Sequence, residues 1–355
     1  MNDLLNSWIK AKLVAASGRA QIEKFITSQS QELPMYIQTL LGIGTLGATI
    51  LFLAFFHEIK LLDFKAANQL IISGVIFVGI ALLIGKFISG GAVKRNLLTQ
   101  VSFCIMFMGK ILFMWGFALL FDTADGWGVT LAAAIITVAT YYPYKVFIDR
   151  ALSVLIVCLT LFLNIATSSQ LSEHREIILN LYFFLQVALL ALLFLYVKLR
   201  QDYVPFAYAL LATICIEVLF LTLQPNISIG DNQFSLTTVN AILTVLTITL
   251  IASISGSIAK FKTEAPIVAS LGAILLGIFA TPAVIISICM MLLGHAKYEK
   301  PITILGIILM PVSIVLFYYN LNVSLLSKSE ILVASGALLL VGSAYMSFRK
   351  FDREI

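Results

Sequence analysis

The stretch "PIVASLGAILLGIFATPAVIISICMMLLG", Pro266 to Gly294, decides how this chain folds, because it reads either as one long apolar helix or as two short ones. A helix needs about 20 apolar residues to cross about 30 Å of hydrocarbon. The two pieces, 265–280 and 281–294, are each short for that task, while their union is long enough only for a strongly tilted helix. Pro282 removes an intrahelical hydrogen bond and favours a break near Thr281. Short, proline-interrupted helices mark transporter binding sites when they recur in both halves of a chain. No counterpart or internal repeat is visible in the first half, so a short helical hairpin is the expectation.

The rest of the chain tests that break through its charges. Apolar runs recur from residue 35 onward and place spans at 35–56, 67–88, 98–121, 127–144, 149–167, 178–198, 204–223, 237–258, 265–280, 281–294, 301–319 and 329–347. With a cytoplasmic N-terminus, the inside segments hold 18 Lys or Arg and the outside loops 4, Lys110 lying within a span. A single helix over 265–294 would move every later loop across the membrane and dilute the ratio to 14 against 8. Cytoplasmic loops are enriched in Lys and Arg, which favours the break. The expected fold is therefore an all-α, polytopic transmembrane bundle of about 12 spans with both termini cytoplasmic. Its parts are a leader at 1–34, a membrane domain at 35–347 and a tail at 348–355.

Composition agrees with this class. Of 355 residues 60% are hydrophobic and only 12% charged, whereas soluble domains are about a quarter charged. No ten-residue alternation of a membrane barrel is present. The net charge of +5 follows from the cytoplasmic loops and is no nucleic-acid footprint. The first apolar run starts at Met35 after a polar leader, so insertion by the chain's own first span is expected instead of a cleaved signal peptide. In the leader, Leu4, Leu5, Trp8, Ile9, Leu13 and Ala16 fall at helical spacing. Such a helix lies on the cytoplasmic membrane surface or packs on the protein's own loops.

Several motifs fail on context. "GIGTLG" at 42–47 has the letters of a dinucleotide fingerprint but lies within the first span; small residues there more often admit a neighbouring helix. "GIALLIGKF" at 79–87 lacks the spacing and hydroxyl of a phosphate loop, which leaves Lys86 as an interfacial anchor. His57, His174 and His295 fall in three separate loops, and Cys104, Cys158, Cys215 and Cys289 sit in apolar runs without metal or disulfide spacing. No catalytic, metal or cofactor site is expected.

Two ionisable side chains lie deep within spans, Lys110 in "MGKILFMWG" and Glu217 in "TICIEVLFL". Such residues usually face the bundle interior with a partner. Their distances in sequence from Arg95 and Arg200 put them at similar depth, so an intramembrane charge pair is expected. It would serve as a proton-linked or substrate site, or as a clamp between spans three and seven. Ion pathways need chains of polar groups, and the main amides within spans are Asn164, Gln186 and Asn240. The clamp is the preferred reading.

A second polar feature interrupts the last apolar runs: "FYYNLNVSLLSKSEILVASGALLL", Phe317 to Leu340. Tyr318 and Tyr319 end the eleventh span where tyrosine rings favour the interface, and Lys328 stands outside against the charge bias. With Ser329 they form an outer-interface knot suited to lipid phosphates or to a partner protein.

This ending, with the preceding "TPAVIISICMMLLGHAKYEKPITILGI", resembles the terminal signature of the bacterial family catalogued as domain of unknown function 4401. The pattern falls on Pro282, Leu293, Gly294, Tyr318, Tyr319, Leu325, Leu326, Lys328, Ser329 and Gly336. "ELPMYIQTLLGIGTLGATILFLAFF" and "LTQVSFCIMFMGKILFMWGF" are similar to earlier spans of the family, whose pattern often has an amide where this chain has Lys110. The resemblance implies a multi-pass bacterial inner-membrane protein without assigned activity, often linked to a second multispan domain and to a small protein with a GDYxxLxY motif. Neither is found in this chain, which makes a separately encoded partner the expectation. The functional expectation is a non-enzymatic subunit of a membrane complex that engages a membrane or periplasmic protein, or lipid, at its outer face. The alternative is a transporter or flippase-like protein built around Lys110 and Glu217.

Overall fold

A computed structural model describes residues 35–87, 92–121, 126–168, 170–171, 173–195, 203–223, 236–256 and 264–320, together with 326, 329, 330, 333, 337 and 340. The leader, the tail, most of the twelfth expected span, Lys328 and the side chain of Tyr319 lie outside the described residues. The described elements are helices: α1 (Met35–Glu58), α2 (Ala67–Lys86), α3 (Ala92–Phe121), α4 (Trp127–Tyr141), α5 (Phe147–Thr167), α6 (Arg175–Leu195), α7 (Val204–Leu223), α8 (Leu236–Ser255), α9 (Glu264–Phe279), α10 (Pro282–Ala296) and α11 (Lys300–Asn320). Among the described residues, seven helices are long and apolar enough to cross a membrane. Without water, backbone polar groups must be satisfied within the segment, which is why apolar runs of this length become helices. The helices form two compact units, divided between Asn164 and Ile165 in the last turn of α5.

In the first unit, α2 and α3 form a close antiparallel pair. A Cβ added to Gly74 would lie 2.8 Å from the carbonyl oxygen of Gly109, and one added to Gly109 would lie 2.8 Å from that of Gly74. Small residues permit this backbone approach, and hydrophobic segregation supplies little attraction between helices in lipid. The tight contact thus falls at Gly74 and Gly109, while nothing stands within 4 Å of a Cβ at Gly44 or Gly47 of the "GIGTLG" run. Farther along the pair, Ser102 Oγ donates to the carbonyl of Ala81 at 2.9 Å. Leu70, Met108 and Leu112 pack with Leu53 of α1, while Val78, Met106 and Phe113 pack with Ala132 and Ile136 of α4. Gly126 opens α4 in the left-handed region with φ 67°, and a Cβ there would meet Asn164 Oδ1 at 2.9 Å. Asn164 of α5 in turn donates to Thr130 Oγ1 at 2.6 Å and joins α5 to α4.

In the second unit, α7 is buried on most of its faces, from Ala207 to Thr222. The order of contacts along α8 resolves the stretch from Pro266 to Gly294. Asn240 Nδ2 donates to the carbonyl of Ala280 and Thr244 lies against Gly277, so α9 runs antiparallel to α8. Thr247 and Leu243 meet Cys289, farther along α10, so α10 runs parallel to α8. The chain therefore reverses at Thr281, whose extended backbone (φ −78°, ψ 156°) leads into Pro282 at the start of α10. Proline suits a first helical turn because its missing N–H would be unbonded there anyway. α11 folds back antiparallel on α10 through Gly294 against Thr303 and Gly306 against Met291. Large apolar side chains such as Leu271 and Ile278 of α9 and Ile304 and Ile308 of α11 remain exposed. Those faces suit a hydrocarbon solvent.

Candidate functional site

The polar groups inside each unit form separate clusters. Lys110, midway along α3, is 3% exposed. Its ammonium donates to Asp149 Oδ2 at 2.6 Å and to Ser153 Oγ at 2.7 Å. Asp149 lies in the first turn of α5, and Ser153 one turn later donates to the Asp149 carbonyl at 2.7 Å. The positive end of the α5 dipole favours a carboxylate in this turn. Asp149 is 2% exposed and its Oδ1 has no hydrogen-bond donor among the described residues. A cavity of about 10 Å³ adjoins Lys110 and Ser153 and is bounded by Phe107, Met114, Ile136 and Thr137. That is the room of at most one water.

The neighbouring turn is held by Arg150. Its Nε donates to the Tyr144 carbonyl at 3.1 Å, and its guanidinium carbon lies 5.0 Å from the ring centre of Tyr141. Tyr144 donates its hydroxyl to Ser102 Oγ at 3.0 Å, which secures the same turn to α3. The start of α5 is thereby fixed, and with it the position of Asp149.

In the second unit Glu217, on α7, is fully buried. Gln186 of α6 donates through Nε2 to Glu217 Oε1 at 3.0 Å, and the Tyr182 hydroxyl also faces the carboxyl group. Glu217 Oε2 and Gln186 Oε1 have no hydrogen-bond partner among the described residues. This corrects the expected pairing of Lys110 with Glu217: each finds its partner within its own unit. The physical reason is that pairing follows which helices lie side by side: the start of α5 packs against α3 at Lys110 and brings Asp149 and Ser153 to its ammonium, which equal depth in sequence cannot reveal. Asp149 was the residue missed. Its signal was an acid in the first turn of an apolar helix, one turn before a serine, which by itself looks like ordinary helix-end chemistry.

The third expected feature is described in part. Tyr318 is half-buried in the last turn of α11, and Ser329 Oγ donates to the carbonyl of Leu326 at 2.7 Å. All four cysteines are free thiols. Among the described residues, no group of three or more His, Cys, Asp or Glu is placed to hold a metal ion.

The profile of a family described as a domain of unknown function, DUF4401, matches residues 34–347. The chain belongs to the DUF4401 family. The match includes both buried clusters and the polar stretch after α11. No match was found among curated proteins or solved structures. The arrangement in this DUF4401 chain joins helices in two ways: a charged Lys110–Asp149–Ser153 junction between α3 and α5, and an acid–amide contact between α7 and α6. Both are polar ties of the kind that hold membrane helices together.

Proposed function

We propose that this protein is a non-enzymatic, multi-pass subunit of a bacterial inner-membrane complex, with twelve spans, both termini in the cytoplasm, and an outer-face site that engages a partner protein or lipid. The observation that favours a scaffold over a transporter is the Lys110–Asp149–Ser153 junction, which has only about 10 Å³ beside it. A proton or solute path needs connected polar groups. Here the lysine is engaged by two side chains and bounded by Phe107, Met114 and Ile136. The reversal at Thr281 supports the twelve-span count, because it is the break that the distribution of Lys and Arg favours.

The outer-face site consists of Tyr318, Tyr319, Lys328 and Ser329. Co-purification from native membranes with wild type and Lys328→Ala tests it. The expected result is a partner or anionic lipid retained by wild type and reduced several-fold in the variant, with insertion and melting temperature unchanged. On the proposed outer face, removing one charge should have little effect on folding. Loss of stability without selective loss of association would make the stretch an anchoring device. Solute uptake in proteoliposomes that disappears in Glu217→Gln would instead support the transporter reading.

A further inference from the structure

In the second unit an apolar cavity of about 70 Å³ lies among α6, α7, α8 and α10. Leu190, Phe194, Leu250, Ile286, Met290 and Leu293 provide much of its wall, and Lys297 closes one end. Two hydroxyls also line it, but neither has its proton free for an anion: Thr249 Oγ1 donates to the Leu246 carbonyl at 2.7 Å and Ser253 Oγ to that of Leu250 at 2.8 Å. An internal water needs two to four polar partners, and this wall offers few. Lys297 follows the last turn of α10 and has no carboxylate partner among the described residues.

A hydrocarbon-lined slot ending at a cation is complementary to an acyl chain with an anionic head. Lysine stems commonly lie along apolar surface with the ammonium at the headgroup level. We propose that this cavity holds the head-proximal part of one acyl chain of an anionic phospholipid, with the phosphate against Lys297. At roughly half the volume of a cavity that accepts benzene, about 150 Å³, it suits a short length of one chain more than a whole lipid. The site is separate from the outer-face knot. α11 begins beside the end of α10 and runs back antiparallel, so Lys297 and Tyr318 stand at opposite ends of that helix pair.

The test places the full-length protein in phosphatidylcholine nanodiscs containing trace phosphatidylglycerol or phosphatidylcholine with a diazirine on the head-proximal carbons of one acyl chain. Adducts are mapped by mass spectrometry. The expected adducts concentrate on Leu250, Ser253 and Leu293 and are several-fold more abundant with phosphatidylglycerol. Lys297→Gln should abolish that preference while keeping adducts at the same residues. Ala191→Phe fills the cavity and should reduce these adducts several-fold without changing those elsewhere; if it fails to fold, Ser253→Phe, at an exposed position on the rim, serves instead. Adducts spread equally over exposed α9 residues such as Leu271 and Ile278, or labelling unaffected by the filling variants, would overturn the proposal.

Discussion

The Lys110 ammonium and Asp149 Oδ2 are 2.6 Å apart across 39 positions of sequence, and both side chains are almost wholly buried. Breaking a buried ion pair strands a charge, whereas replacing both members with apolar groups often costs little. The pair thus ties α3 to the first turn of α5.

Lys110→Met should lower stability by about 3–5 kcal/mol, as loss of one partner of a buried pair does. The double variant Lys110→Met, Asp149→Leu should recover much of that loss. Thermal unfolding in detergent, read by a conformational probe, supplies the comparison. Combining Lys110→Met with Glu217→Leu should give additive effects, since the two residues have different partners.

Gly74 tests the closest helix contact. Gly74→Val puts a branched side chain where even one carbon meets the α3 backbone at 2.8 Å, so α2 and α3 must separate. Overpacking of this kind typically costs about 1–3 kcal/mol. Gly79→Ala on the same helix meets nothing within 4 Å and should be neutral or mildly stabilising. Equal melting temperatures for the two variants would refute the packing argument.

Gln186→Leu removes the amide donor to Glu217 and should destabilise the protein by about 1–3 kcal/mol, the cost of leaving a buried polar group without its partner. Glu217→Gln keeps an acceptor oxygen at Oε1 and should be tolerated better than Glu217→Ala. Ranking the three variants by melting temperature checks this; a Gln186→Leu protein as stable as wild type would show that the contact contributes nothing.

Single cysteines introduced at Asn232 and at Lys260, in a background lacking the native thiols, test the orientation. A membrane-impermeant maleimide should reach the former in intact cells and leave the latter unmodified until the membrane is opened. Labelling of a cysteine in the 348–355 tail from outside would remove the twelve-span topology.

The sequence by itself determined the helical membrane class, the family, and the positions of the eleven described helices to within about six residues at either end. These features depend on local chemistry: the length of apolar runs, the need to satisfy the backbone in lipid, and the interruption at Pro282. The tertiary structure decided which polar side chains meet. Lys110 had a visible candidate in Glu217, because charge and depth along a helix are readable from one dimension. Its bond to Asp149 depends on how α3 rotates and slides against α5, which follows from the packing at Gly74 and Gly109 and the turn secured by Arg150 and Tyr144. The cavity beside Lys297 was equally invisible, since it is bounded by four helices whose residues carry no shared pattern in the chain. Membrane insertion depends on sums over contiguous residues, but pairing depends on orientation between helices, and only the folded structure specifies that.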